Sequence, residues 1–120
     1  MRSRGYRRHV DDVLVERVLR AVEQVPPGRV VSYGDIAELV GTGPRQVGAV
    51  MSRWGGDVAW WRVTNHLGEL PAHLLPEARR RWAEEGIGTR ASGRGCRRTA
   101  YLADLDQLAR DWERAVADLP

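Results

Sequence analysis

The chain has 120 residues, 42% of them apolar, and a net charge of +3. That is one domain by length, with enough apolar material for a core of two or three helices and a small sheet. No run approaches the roughly 20 apolar residues of a membrane span, and the arginine-containing N-terminus lacks the apolar stretch of a signal peptide, so a cytoplasmic protein with no membrane partner is expected. One cysteine, Cys96, excludes an internal disulfide, and His9, His66 and His73 lack ligand spacing, so no metal and no cofactor are expected.

All 19 basic residues are arginine. GC-rich codons explain this as well as the preference of guanidinium for phosphates and stacked bases. The charge is unevenly placed: residues 1–10 and 90–98 each hold four arginines and no acid, whereas 99–120 hold two arginines against five acids. Two basic blocks on a near-neutral body fit a nucleic-acid partner. A solvated charge run explains either block taken alone.

In chain order, residues 1–10 read as a flexible basic arm. Asp11 or Asp12 is a suitable N-cap, and Leu14, Val18, Ala21, Val22 and Val25 share one helical face, which predicts a helix over 12–25 stopped by Pro26-Pro27-Gly28. Val30-Val31 suggests a short strand. Ser32 is positioned to cap a second helix over 33–40, with Ile36, Ala37, Leu39 and Val40 inward. Gly41-Thr42-Gly43 breaks it. Pro44 suits the first turn of a third helix running to about Trp54, with Val47, Val50 and Met51 on one side. Two short helices across a glycine turn make a helix-turn-helix, whose second helix usually enters a DNA groove. Gly48 and Ala49 would let its backbone lie close to a duplex. An αα-hairpin inside a core has the same spacing.

Val63-Thr64-Asn65 and Leu70 flank a turn at His66–Gly68, a small hairpin or wing. A fourth helix is predicted over 76–86, with Ala78, Trp82 and Ala83 inward. Residues 88–98 lack periodicity and read as an arginine-rich linker. Within them, Arg94, Arg97 and Arg98 are expected to lower the pKa of Cys96. A last helix is predicted over 100–117, with Leu102, Leu105, Leu108, Ala109, Trp112 and Val116 inward. The fold class expected is mainly α with a small β element: a winged helix-turn-helix over 11–87, followed by the linker and a C-terminal helix within 99–120.

Three blocks, SYGDIA at 32–37, PRQVGAVM at 44–51 and AWWRVTNHLGELP at 59–71, in that order and spacing, resemble the DNA-binding domain of the O6-alkylguanine-DNA alkyltransferase family. The resemblance covers roughly 12–87. The family's alkyltransferases carry Pro-Cys-His-Arg-Val, in which the cysteine accepts the alkyl group. Here Ala59-Trp60-Trp61-Arg62-Val63 stands in that place. An indole is neither an alkyl acceptor nor a general base. The resemblance therefore implies an alkyltransferase-like protein, not an enzyme: one that flips O6-alkylguanine out of double-stranded DNA, binds it without repair, and hands it to nucleotide excision repair. A bacterial-type monomer, associated with the nucleoid through DNA, is expected.

The resemblance also implies residue roles. Arg45 is the finger that fills the gap left by the flipped nucleotide, and Tyr33 crowds the neighbouring phosphate. Gln46, Gly48, Ala49 and Ser52 join them as DNA contacts. Tyr33, Met51, Trp60, Val63, Asn65 and His73 surround the alkylguanine, with Trp60 on the alkyl side. Trp61 and Arg62 support the motif. Three rival readings remain from the residues alone. Arg45 is a solvent-facing arginine at a helix start and Tyr33 a partly buried aromatic at another, Met51 and Val63 are plain core, or the domain is a transcription regulator that reads sequence. Alkyl transfer to Cys96 is a further alternative. The 88–98 segment is expected to track DNA phosphate or to dock a repair protein.

Overall fold

A computed structural model describes residues 10–120, with side chains from Asp12 onward, so the basic arm lies, apart from Val10, outside the described residues. The first helix, α1, spans Val10–Glu23. It begins two residues earlier than predicted and buries Val18, Leu19, Ala21 and Val22 completely. Strand β1 is Val31–Ser32. Ser32 then caps α2, Tyr33–Val40, through a reciprocal pair: Asp35 N donates to Ser32 Oγ at 3.0 Å, and Ser32 N donates to Asp35 Oδ2 at 2.9 Å. Gly41 ends the helix with φ +89°, a left-handed conformation that favours glycine, and its N–H reaches the Ala37 carbonyl. Pro44 occupies the first turn of α3, Pro44–Trp54. The pair α2–turn–α3 is the expected helix-turn-helix.

Strand β2, Val63–Thr64, pairs in parallel with β1, placing Val31 opposite Val63. Tyr101–Ala103 runs along the other side of β1: Val30 N donates to Tyr101 O, and Ala103 N donates to Val30 O. This short sheet lies between two apolar cores. Alternation along a strand sends successive side chains to opposite faces. Val31 joins Val18, Val22, Ile36, Val47, Val50 and Val63 in a core beneath the helix-turn-helix. Val30 joins Leu70, Leu75, Ala78, Trp82, Ile87 and Cys96 in a second core under α4, Leu75–Glu85. Ala83, expected inward on α4, is exposed, because Leu75, Ala78 and Trp82 already define the buried face.

Two C-terminal expectations are corrected. Residues 88–98 are not a linker. They form a hairpin with a Thr89–Cys96 bridge, docked on the 65–69 turn by a Glu69–Gly95 bridge. The final helix, α5, spans only Leu105–Ala115, because 101–103 is committed to the edge of β1 and Asp104 caps at the next residue, accepting from Gln107 N. Leu102 and Leu105, expected inward, are 37% and 40% exposed. Helix α5 lies on α1: Leu108 is buried, Trp112 Nε1 donates to Arg17 O at 2.9 Å, and Arg20 donates to Ala115 O at 2.8 Å. No described helix is long and apolar enough to cross a membrane.

Candidate nucleic-acid interface and base pocket

Helix α3 contributes an exposed face free of acidic residues: Arg45, Gln46, Ala49, Ser52 and Arg53. Its N-cap, Gly43, supplies no side chain, which leaves the positive end of the helix uncapped. Arg45, in the first turn, forms no ion pair with the described residues. A Cβ built on Gly48 would meet nothing within 4 Å, so the fold itself does not require glycine there. The space above Gly48 is open to whatever lies against the helix.

A pocket of about 240 Å³ opens beside this face. One wall is Gly48, Met51 and Ser52, continued by Gly55 and Gly56. Tyr33, Trp60, Leu70, Pro71, His73 and Leu74, from outside α3, complete the lining. The walls are mostly apolar with a few polar groups, the ordinary make-up of a small-molecule site. Among the described residues no carboxylate, thiol or guanidinium lines it. Burial pushes the Tyr33 phenol above its usual value, so its hydroxyl stays protonated and able to donate.

Trp60 is held from behind. Its ring meets Trp61 edge-on, with centroids 5.6 Å apart and planes at 84°. The Trp61 face carries the Arg81 guanidinium at 4.7 Å and that of Arg62 at 5.5 Å. Trp61 Nε1 donates to Glu85 Oε2 at 2.9 Å, and Trp82 Nε1 donates to Trp61 O at 2.7 Å. Glu85 is the hub of this support. Arg62 pairs with it at 2.7 Å and also donates to Val25 O, while Gly28 N donates to Glu85 Oε1. Burial raises the Glu85 pKa, but the hydrogen bonds from Arg62, Gly28 N and Trp61 outweigh it and hold the carboxylate below its ordinary value.

The structure thus gathers Tyr33, Gly48, Met51, Ser52, Trp60 and His73 around one cavity, with Arg45, Gln46 and Ala49 on the adjoining helix face. Two pocket expectations are corrected. Val63 is wholly buried and pairs with Val31 between the two cores, so it is core and not pocket wall. Asn65 faces its own turn, where Oδ1 accepts from Leu67 N at 2.9 Å and Glu69 N at 2.8 Å. Cys96 is also corrected. It is fully buried beside Trp82, and burial outweighs the nearby arginines, pushing its thiol up to about 11. Sequence reasoning missed Leu70, Pro71 and Leu74 in the pocket lining, and Gly55-Gly56, read there only as a helix stop. It also missed Glu85, whose partner Arg62 lies 23 residues away with no local signal.

Residues 14–87 match the family model described as 6-O-methylguanine DNA methyltransferase, DNA binding domain. The chain is similar to a DNA base-flipping protein of Escherichia coli (strain K12), 36% identical over 89 residues that cover 71% of this chain and 69% of that protein. It is also similar to a methylated-DNA–protein-cysteine methyltransferase of Methanopyrus kandleri, 43% identical over 58 residues, 42% of this chain and 44% of that one. Among solved structures it resembles S. pombe Atl1, crystallised with damaged DNA containing O6-carboxymethylguanine, with a TM-score of 0.67 and 28% identity over 80% of this chain and 98% of that chain. Its relatives thus include both base-flipping and methyl-transferring proteins, and by the match across 14–87 the chain belongs to the family of the 6-O-methylguanine DNA methyltransferase DNA-binding domain.

Proposed function

We propose that this protein recognises O6-alkylguanine in duplex DNA by holding the flipped base in the pocket beside α3, without transferring the alkyl group. The observation that carries this reading is Trp60. It lines the pocket from the place where the family motif has its acceptor cysteine, and no thiol shares the cavity. The chain's one cysteine is sealed in the second core with a raised pKa.

The energetics are those of base flipping without chemistry. Extruding a base costs a few kcal/mol, and less where alkylation has already weakened pairing. Arg45 offsets part of that cost by stacking its planar guanidinium in the gap. Stacking in the pocket returns ~1–3 kcal/mol, and each methylene buried against Trp60 adds about 0.8 kcal/mol. Larger alkyl groups therefore bind more tightly until the pocket is full. Tyr33 donates to the phosphate beside the flipped nucleotide, and His73, in the pocket lining, closes over the base. Excision is left to another system, which we assign to nucleotide excision repair.

The test compares two duplexes identical except for guanine or O6-methylguanine at one position, by fluorescence anisotropy at fixed salt. Tighter binding of the alkylated duplex, reduced on the order of tenfold or more in Arg45→Ala, is expected. Equal affinity for both, following the surrounding sequence, would replace this reading with that of a transcription regulator. Intact-protein mass after incubation with the alkylated duplex should show no added methylene, and a stoichiometric gain would overturn the non-enzymatic assignment.

A further inference from the structure

Most of the described arginines are engaged: Arg90 and Arg98 pair with Glu69 and Asp35, and Arg79 and Arg110, though without an ion pair, donate to Gly93 O and Gln107 Oε1. Arg20, Arg62, Arg80, Arg81 and Arg114, on the helices and behind the pocket, each meet a carboxylate. Arg45 and Arg53 on α3, and Arg94 and Arg97 on the 88–98 hairpin, are exposed and form no ion pair with the described residues. No acid occurs anywhere from Gly86 to Ala103. Exposed arginines without acid partners thus occur on the interface helix and on a hairpin far from it in sequence.

That hairpin is built rigidly. Cys96 N donates to Gly68 O at 2.9 Å, Arg90 N to Gly95 O and Arg97 N to Gly88 O, both at 2.8 Å. It meets the 65–69 turn glycine to glycine. A Cβ on Gly68 would stand 2.3 Å from Cys96 O, and one on Gly95 would stand 2.6 Å from Gly68 O. Arg90 and Arg98 fasten the turn by donating to Leu67 O and His66 O, and Arg79 of α4 fastens the hairpin tip at Gly93 O. Arg98 also lies 3.8 Å from Asp35, in the first turn of α2 that carries the pocket residue Tyr33. The turn itself runs directly into Leu70 and Pro71 of the pocket wall. The hairpin is therefore tied to the pocket through residues outside α3, and its hydrogen-bonded backbone leaves only the side chains of Arg94 and Arg97 to be ordered on binding.

We infer that the 88–98 hairpin is a second DNA-contacting element, in which Arg94 and Arg97 hold backbone phosphates beside the pocket, apart from those met by α3. The inference rests on the DNA-binding reading above but not on lesion recognition. Phosphate contacts fix register without reading sequence. The hairpin would steady the duplex while α3 opens it.

The experiment is a salt series on the whole protein, with the guanine and O6-methylguanine duplexes, comparing wild type with Arg94→Ala/Arg97→Ala. Arg110→Ala/Arg114→Ala on α5 removes the same charge elsewhere and serves as the control. The hairpin variant should bind both duplexes more weakly, on the order of tenfold at low salt. Its log–log salt slope should be shallower by about two, and its lesion preference should not change. The α5 variant should retain the wild-type slope. Wild-type affinity and slope in the hairpin variant, or an equal loss in both variants, would overturn the inference. If wild type binds both duplexes equally, lesion recognition falls, while the slopes still decide the hairpin. If wild type binds no DNA, both readings fall and the hairpin becomes a surface for a protein partner.

Discussion

Trp60 and Glu85 divide the work of the site between contact and support. Trp60 touches the cavity, so Trp60→Ala should weaken binding of the O6-methylguanine duplex by about 1–3 kcal/mol and abolish any preference for larger alkyl groups, read by anisotropy across an adduct series. Glu85 touches no ligand space. It anchors Trp61 and Arg62, whose side chain and its own are only 13–14% exposed. Removing one member of such a pair leaves a buried charge, so Glu85→Ala should cost about 3–5 kcal/mol in urea unfolding. The pH dependence follows from the same contacts. The folded-state pKa of Glu85 lies below its unfolded value, so its contribution is complete above the ordinary value of 4.5 and is lost as pH falls through the folded value. The melting temperature of wild type should therefore drop in that acid range, and Glu85→Gln should flatten the drop. An unchanged acid limb in Glu85→Gln would remove Glu85 from the account.

At the scale of elements, α3 is shaped by two demands that a substitution separates. Glycine inside a helix costs roughly 1 kcal/mol relative to alanine, and nothing within the chain crowds a side chain at position 48. Gly48→Ala should stabilise the fold by about that amount while weakening DNA binding, because on the proposed reading the added methyl would stand where the duplex and base approach. A gain in both would mean that α3 does not face DNA at this turn. The 65–69 turn offers the opposite case. Gly68 has φ +80° and a Cβ there would strike the Cys96 carbonyl, so Gly68→Ala should release the hairpin from the turn. Faster amide exchange at Cys96 and Arg97 is the expected readout, with the helix-turn-helix amides unchanged.

Across the whole molecule the charge is unevenly placed: Arg45 and Arg53 on α3 and Arg94 and Arg97 on the hairpin have no acid partner among the described residues, and most of the acids of the final segment lie on α5 and its flanks. Helix α5 therefore belongs to the scaffold side. It covers α1 through Leu108 and Trp112, and Arg20 reaches Asp118 at 2.5 Å. Trp112→Ala should cost about 2–3 kcal/mol, less than a wholly buried tryptophan, and lower the melting temperature without changing the ratio of affinities for alkylated and normal duplexes. A changed ratio would place α5 within the interface.

The helices up to α4 were legible because each carries local signals: apolar spacing in α1, the Ser32 cap of α2, Gly41 at its end, Pro44 at the start of α3. The three motif blocks pointed to the family for the same reason, since their order and spacing survive in the linear chain. What could not be read there depends on residues far apart in sequence. Val63 looked equally suited to pocket or core until its pairing with Val31 set its face. Residues 88–98 have no periodicity, and only the docking of Gly95 on Gly68 makes them a hairpin. The α5 boundary moved because 101–103 is captured by the edge of β1. Cys96 shows the difference most directly: its neighbours in sequence are arginines that favour a thiolate, whereas its neighbours in space are Trp82, Leu75 and Ile87. In a low-dielectric core the cost of burying a charge outweighs screened attraction from exposed guanidinium groups, and only the tertiary structure decides which of these a residue meets.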